Sequence, residues 1–287
     1  MSGRGHGREG EPPPLPEALP VPVADVHAHL DLMDVDLMDV DLMDVDVARV
    51  LGQAAAVGVT RVITIGVDAK TSQWGARTAA AHAHLAAAVA VHPNEAALGH
   101  ADDDALAALD ELAALPQVRA VGETGLDHFR TEDGDGWLRQ EASLQAHCEI
   151  ARRHGLPLVV HDRDAHEEVL RVLDAATAPE RVVIHAFSGD VAFAQECARR
   201  GWVCSFAGNV TFKNAQRLRD ALAVLPRDQV LVETDAPFLT PMPYRGRPNA
   251  PYLVPVTLRA MAEVRGESVD ALATAVDATV TRVFGFF

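Results

Sequence analysis

From Val23 onward the chain repeats one pattern: a short β-branched run, a polar turn, then an Ala/Leu-rich stretch with helical spacing. That alternation is the mark of βα units in a parallel sheet. Eight units can be counted. The strands are predicted at Val23 to His29, Arg61 to Gly66, Ala88 to His92, Val118 to Glu123, Leu158 to His161, Val182 to His185, Val203 to Phe206 and Val230 to Glu233. Helical stretches follow each, for example Asp46 to Val57, Ala101 to Leu115, Arg139 to His154, Ala165 to Ala175 and Pro255 to Val264. The expected fold class is α/β: a single (β/α)8 TIM barrel over residues 23–287, a length ordinary for that architecture.

Two segments depart from the pattern. Residues 1–22, rich in Gly, Pro, Glu and Arg, offer little apolar surface to bury and are expected to form a disordered tail. Residues 31–45 repeat Asp-Leu-Met-Asp-Val three times, a period of five that matches neither helix nor strand. A tandem duplication tolerated in a loop explains it, since loops absorb insertions at low entropic cost. Directly after the first strand, such a loop hangs over the barrel mouth and brings an acidic series from Asp31 to Asp46 with it. Like-charge repulsion is then expected to weaken the binding of polyanionic substrates.

Charge and cysteine content narrow the functional classes. A formal net charge of -16 describes a self-repelling surface and argues against a simple basic groove for nucleic acid. Lys70 and Lys213 are the only lysines, so nearly every positive charge is an arginine. Cys148, Cys197 and Cys204 are odd in number and lack C-x-x-C spacing, which suggests neither a disulfide framework nor a cysteine zinc site and fits a cytoplasmic setting. No window is long and apolar enough for a membrane span or a secretory signal, so no membrane partner is expected.

The chemistry shows in where the ligand-type residues fall. Asp25-Val-His27-Ala-His29, Glu123, His161, His185 and Asp235 all stand at or just past the C-terminal end of a predicted strand. In a parallel barrel those ends share one face, so strands 1, 4, 5, 6 and 8 deliver them to a common pocket. His27 and His29 are two apart and point to the same side, as a chelating pair requires. Imidazoles suit Zn and carboxylates also suit Mg and Mn, so the expected cofactors are two divalent cations of one of these kinds. Glu123 is the natural bridge between them. Asp235 is expected to bind one ion and accept a proton from its water, whose pKa falls from 15.7 to about 7 on a metal. Glu123 and Asp235 are thus the catalytic candidates.

These residues lie in motifs that resemble the TatD-type metal-dependent deoxyribonucleases of the amidohydrolase superfamily. The resemblance runs through Asp25-Val-His-Ala-His-Leu30, Val91-His-Pro93, Gly122-Glu-Thr-Gly-Leu-Asp127, His161-Asp-Arg163 and His185-Ala-Phe-Ser-Gly189. It continues in Gly208-Asn-Val-Thr-Phe-Lys-Asn214, Glu233-Thr-Asp-Ala-Pro-Phe-Leu239 and Arg245-Gly-Arg-Pro-Asn249. By that resemblance His27, His29, Glu123, His161, His185 and Asp235 are the metal ligands. The implied activity is phosphodiester hydrolysis of DNA, as a 3′ to 5′ exonuclease on single strands or exposed 3′ ends. Ala186 stands where the family usually has Cys, Ala90 where Gly is frequent, and Thr279 where Asn is common. None of these removes a ligand.

Around the ligands, His92 is expected to line the pocket, and Arg163 and Lys213, with Arg245 and Arg247 as weaker candidates, to hold phosphate oxygens. Asp127 and His128 are expected to orient ligands. Two other readings stay open. A metal-dependent ester or amide hydrolase, acting on aminoacyl-RNA or cyclic amides, uses the same chemistry, although many amide-cleaving relatives bridge their ions with a modified lysine where Glu123 stands here. A non-enzymatic metal-binding module is the third, against which six intact ligand positions argue.

Overall fold

The apolar runs pair as strands in the structure, a computed structural model that describes residues 11–33 and 45–287. They are β1 (Val23–Ala28), β2 (Val59–Ile65), β3 (Leu85–Val89), β4 (Val118–Asp127), β5 (Leu158–Arg163), β6 (Val182–Ile184), β7 (Val203–Phe206) and β8 (Val230–Val232). The sheet runs in the order β1-β2-β3-β4-β5-β6-β7-β8, and every pairing is parallel. Its two edges meet: Ala28 bridges Ala236, the His29 amide donates to the Ala236 carbonyl at 2.6 Å, and the Asp235 amide to the His27 carbonyl at 2.9 Å. Closure leaves no open edge and makes the sheet a barrel.

Outside it lie α1 (Val47–Ala55), α2 (Ala69–Ala81), α3 (Pro93–Ala97), α4 (Asp103–Ala113), α5 (Gly134–His154), α6 (His166–Ala176), α7 (Val191–Arg199), α8 (Gln216–Val224), α9 (Val254–Arg265) and α10 (Val269–Phe284). Many begin at a residue whose short side chain caps a free amide, as Asp46, Asp68, Asp102, Asp133, Asp190 and Ser268 do. Because helices cover the sheet, every residue of β1, β3, β6, β7 and β8 is buried.

Three expectations need correction. The third strand lies three residues earlier than Ala88 to His92, because beyond Val89 side chains take the backbone donors. The Ala90 amide goes to Ser72 Oγ at 3.2 Å and the Val91 amide to His147 Nε2 at 3.0 Å. Pro93 then opens α3, with His92 as its cap. β4 runs on past Glu123 to Asp127. Gly122 and Gly125, which flank Glu123, hold φ of +145° and +147°, and a Cβ there would meet the Val159 carbonyl oxygen at 2.4 Å and that of His161 at 2.0 Å. These glycines let β4 press against β5 instead of turning.

The tail is corrected as well. Residues 11–22 have no helix or strand yet lie against the barrel, with Leu19 buried and its amide donating to the Val57 carbonyl at 3.0 Å. Arg247 donates to the carbonyls of Glu11 and Pro12, Tyr252 to that of Pro13, and Arg259 to those of Glu17 and Ala18. A segment poor in apolar residues is thus fixed through its carbonyl groups. Residues 1–10, and residues 34–44 of the acidic repeat, lie outside the described residues.

Candidate metal centre

Glu123 sits at the centre of the barrel mouth, and its two oxygens face different partners. Oε1 is 3.5 Å from His27 Nε2 and 3.3 Å from His29 Nε2, and Asp235 Oδ1 lies 3.8 and 3.6 Å from the same two nitrogens. Oε2 is 2.6 Å from His185 Nε2, 2.9 Å from His161 Nδ1 and 3.7 Å from His92 Nε2. The structure therefore brings all six predicted ligand residues together, with His92 beside them. Three sets of ligand atoms, from His27, Glu123 and His185, from His27, His29 and Asp235, and from His92, Glu123 and His161, each fall within 4.8 Å of one another.

The donors suit a divalent cation. His27 is wholly buried, yet neither of its ring nitrogens has a hydrogen-bond partner, and Nδ1 of His29 has none either. Buried polar atoms rarely go unpaired, because each costs about 1–3 kcal/mol. A lone pair offered to a cation accounts for Nε2 of His27; each Nδ1 then carries the ring proton and has no acceptor among the described residues.

The electrostatics agree. Burial opposes ionisation of Glu123, but His185, His92 and His27, with the hydrogen bond from His161, hold its carboxyl well below the usual range. Burial likewise opposes charge on His29, yet Asp235 and Glu123 push it up to about 10. His185 is raised well above its ordinary value: burial again opposes this, and Glu123 and Glu233 overcome it. Burial drives His92 down to about 3 and lowers His27. The carboxylates thus demand compensating positive charge, which protons or cations can supply, so cation binding here is coupled to proton release.

Partners behind the cluster fix its members. Asp25 accepts from the Thr234 hydroxyl at 2.5 Å, the Thr234 amide at 2.9 Å and the His27 amide at 3.3 Å, which links the β1 and β8 ligands. Glu233 Oε1 accepts from the Ala186 amide at 2.8 Å and is 3.3 Å from His185 Nδ1. Asp127 Oδ2 is 3.3 Å from His161 Nε2, as expected of a residue that orients a ligand. His128 does not do so; its ring stacks on Trp137 at 4.3 Å. Sequence reasoning set Asp25 among the residues at the strand ends without assigning it a task, and gave Glu233 and Thr234 no role. The available signal was adjacency, since Asp25 precedes His27 by two and Glu233-Thr234 leads into Asp235.

The anion-binding candidates fare unevenly. Arg163 ends β5 and lies 4.1 Å over the ring of Phe129, which holds its planar head at the rim. Lys213 is exposed in the segment after β7. Arg245 lies 4.4 Å over Phe212. Arg247 is tied to the carbonyls of Glu11 and Pro12, which turns its guanidinium to a structural task.

Imidazoles and carboxylates gathered at the C-terminal mouth of a β/α barrel define the class of metal-dependent hydrolases. The chain belongs to the TatD related DNase family, whose model matches residues 24–285. It is 40% identical over 266 residues to the uncharacterized metal-dependent hydrolase TatD of Mycobacterium tuberculosis, covering 92% of this chain and 98% of that protein. It is 34% identical over 251 residues to the 3'-5' ssDNA/RNA exonuclease TatD of Citrobacter rodentium, covering 82% of this chain and 90% of that one. Among solved structures, YjjV, a TatD homologue from Escherichia coli, superposes with a TM-score of 0.84 at 28% identity, over 92% of this chain and 98% of that one.

Proposed function

We propose that this hydrolase cleaves phosphodiester bonds of DNA, working 3′ to 5′ from exposed single-stranded ends, with two divalent cations at the barrel mouth. One cation would be held by His27, His29, Asp235 and Oε1 of Glu123, the other by His161, His185 and Oε2 of Glu123. The single observation that carries this reading is the division of Glu123: one carboxylate with each oxygen turned to a separate imidazole set. When bound, such ions supply Lewis acidity toward a phosphoryl oxygen and make water a nucleophile near neutral pH.

The chain's own residues do the rest. Asp235, partly exposed at the cluster's edge, accepts the proton released by the attacking water at a carboxylate oxygen. Glu233 holds His185 in orientation, Asp127 does so for His161, and Asp25 with Thr234 keeps β1 and β8 in register beneath His27 and Asp235. Arg163 grips phosphate oxygens at the rim, aided by Lys213, and His92 lines the pocket floor. The net charge of -16 disfavours long-range capture of a polyanion, so recognition rests on the local field of the cations and these few basic groups. The relative named as a 3'-5' ssDNA/RNA exonuclease supports a nucleic-acid substrate.

No helix among the described residues is long and apolar enough to cross a membrane, and the cysteines Cys148, Cys197 and Cys204 are buried and unpaired. We propose a cytoplasmic location, in keeping with three buried thiols that form no disulfide. The test is to strip the protein with a chelator, reload it with Mg, Mn or Zn, and follow oligonucleotides labelled at either end beside a panel of esters and amides. Stepwise shortening from the 3′ end is expected. Turnover of carbonyl substrates alone rejects the nuclease reading in favour of an ester or amide hydrolase.

A further inference from the structure

Asp235 is aimed differently from its neighbours in the cluster. His161 and His185 each have a carboxylate behind the ring, from Asp127 and Glu233. Among the described residues the polar partners of the Asp235 carboxylate are His27 and His29 themselves, with Oδ1 3.8 and 3.6 Å from their Nε2 atoms. The direction of this carboxylate therefore comes from the backbone turn that carries it.

That turn has an uncommon shape. Asp235 and Leu239 hold φ of +54° and +51°, the left-handed region that residues other than glycine seldom occupy and keep where surrounding contacts impose it. The Asp235 amide donates to the His27 carbonyl at 2.9 Å, and the Phe238 amide donates to the Asp235 carbonyl at 2.7 Å. The carbonyls of Thr234 and Phe238, one on each side of Asp235, are claimed by a single side chain. Asn249 Nδ2 donates to both, to Thr234 at 2.9 Å, while its Oδ1 accepts from the Ala250 amide at 3.0 Å. The reverse orientation of the amide would set its oxygen against two carbonyls. Asn249 is 2% exposed, so water does not compete for these bonds.

The support for Asn249 is itself anchored. The Thr240 hydroxyl donates to the Arg247 carbonyl at 2.7 Å, and the Arg247 side chain donates to the carbonyls of Glu11 and Pro12. Asn249 thus reaches the Asp235 turn from a segment tied down two residues earlier.

Resting on the reading of Asp235 as cation ligand and proton acceptor, we propose that Asn249 is the positioning residue for Asp235, clamping the turn on both sides so that the carboxylate stays aimed at the cations and at the attacking water. A proton acceptor works only within hydrogen-bond reach of its proton, so a turn free to relax would take Asp235 out of action without touching substrate binding.

The test is a double-mutant cycle on the full chain, with Asn249→Leu and Asp235→Asn made singly and together. On single-stranded DNA with Mg or Mn, Asn249→Leu should lower kcat about 10- to 100-fold with KM within about twofold, as when a reacting group is displaced by about an ångström. In the Asp235→Asn background the same substitution should cost about twofold or less, because its target is already gone. The second readout needs no turnover: in calorimetric titration with Mn, Asn249→Leu should lose no more affinity than Asp235→Asn, and the double variant no more than Asp235→Asn alone. Asn249→Ser removes the amide with less bulk and carries the same cycle if the Leu variant does not fold. Losses that add in the double variant mean a general structural role and overturn the proposal, as does an unchanged kcat in Asn249→Leu. If wild-type protein cuts no DNA, the nuclease reading fails, and the Mn cycle still decides whether Asn249 acts through Asp235.

Discussion

His147 makes the fold sensitive to acid in a way that can be calculated. On α5 it is fully buried, its Nε2 accepts from the Val91 amide at 3.0 Å, and its Nδ1 is 2.7 Å from the Ser143 carbonyl. The proton therefore sits on Nδ1 and the lone pair on Nε2. Protonating Nε2 would set a donor against a donor in a fully buried site. Burial pushes the imidazole down to about 4, against 6.5 in the unfolded chain. Between these values the unfolded state binds the proton and the native state does not, so stability is present above the unfolded pKa and is lost as pH falls toward 4. The shift is worth roughly 3 kcal/mol in full, of which about 2 kcal/mol is lost between pH 7 and pH 5. In His147→Gln a neutral acceptor can still reach the Val91 amide. Urea unfolding of both proteins at pH 7 and pH 5, in chelator because metal binding is itself proton-linked, should show the wild type losing about 2 kcal/mol more than the variant. Parallel losses would refute the assignment. Because Val91 precedes His92, the same break would also loosen the pocket floor.

Other expectations follow from single contacts. Asp235→Asn keeps an oxygen at the cluster and loses the proton acceptor, so turnover should fall about 10²- to 10⁴-fold while much of the cation affinity, read by titration calorimetry, remains; unchanged turnover would show that Asp235 is not the base. Thr234→Val removes the hydroxyl that donates to Asp25 and accepts from the Ala236 amide. A lost hydrogen bond to a buried carboxylate costs about 1.5–3 kcal/mol, so chelated protein should melt several degrees lower; an unshifted melting curve would remove the link between β1 and β8. Arg163→Ala should raise KM for single-stranded DNA and flatten its salt dependence by about 0.7 in log–log slope, and an identical slope would leave Arg163 as an ion stacked on Phe129 and nothing more.

Much of the fold was legible because its determinants are local. The strands are apolar runs, and the helices announce their starts with Asp or Ser caps such as Asp102 and Asp190. The six clustered residues were legible for a second reason: a parallel barrel places all C-terminal strand ends on one face, so chain position alone puts His27, Glu123 and Asp235 side by side. What was missed depends on distant partners. The end of β3 is invisible in an alanine-rich stretch, since the side chains of Ser72 and His147 decide it from α2 and α5. Gly122 and Gly125 carry no local sign of their task, and only the backbone of β5 shows that they serve close approach. The packing of residues 11–22 is set by Arg247, Tyr252 and Arg259, more than two hundred positions away, so composition pointed the other way. Asp25 gains its meaning from Thr234, which neighbours it only once the barrel closes.

The proposed bridging of two divalent cations by Glu123 at the mouth of the barrel is tested most directly by anomalous diffraction from crystals grown with Mn. Two anomalous peaks about 3.5–4 Å apart are predicted, one against His27, His29 and Asp235, the other against His161 and His185, with the Glu123 carboxylate between them. Scattering confined to other parts of the molecule, or ions that leave Glu123 uncoordinated, would contradict it.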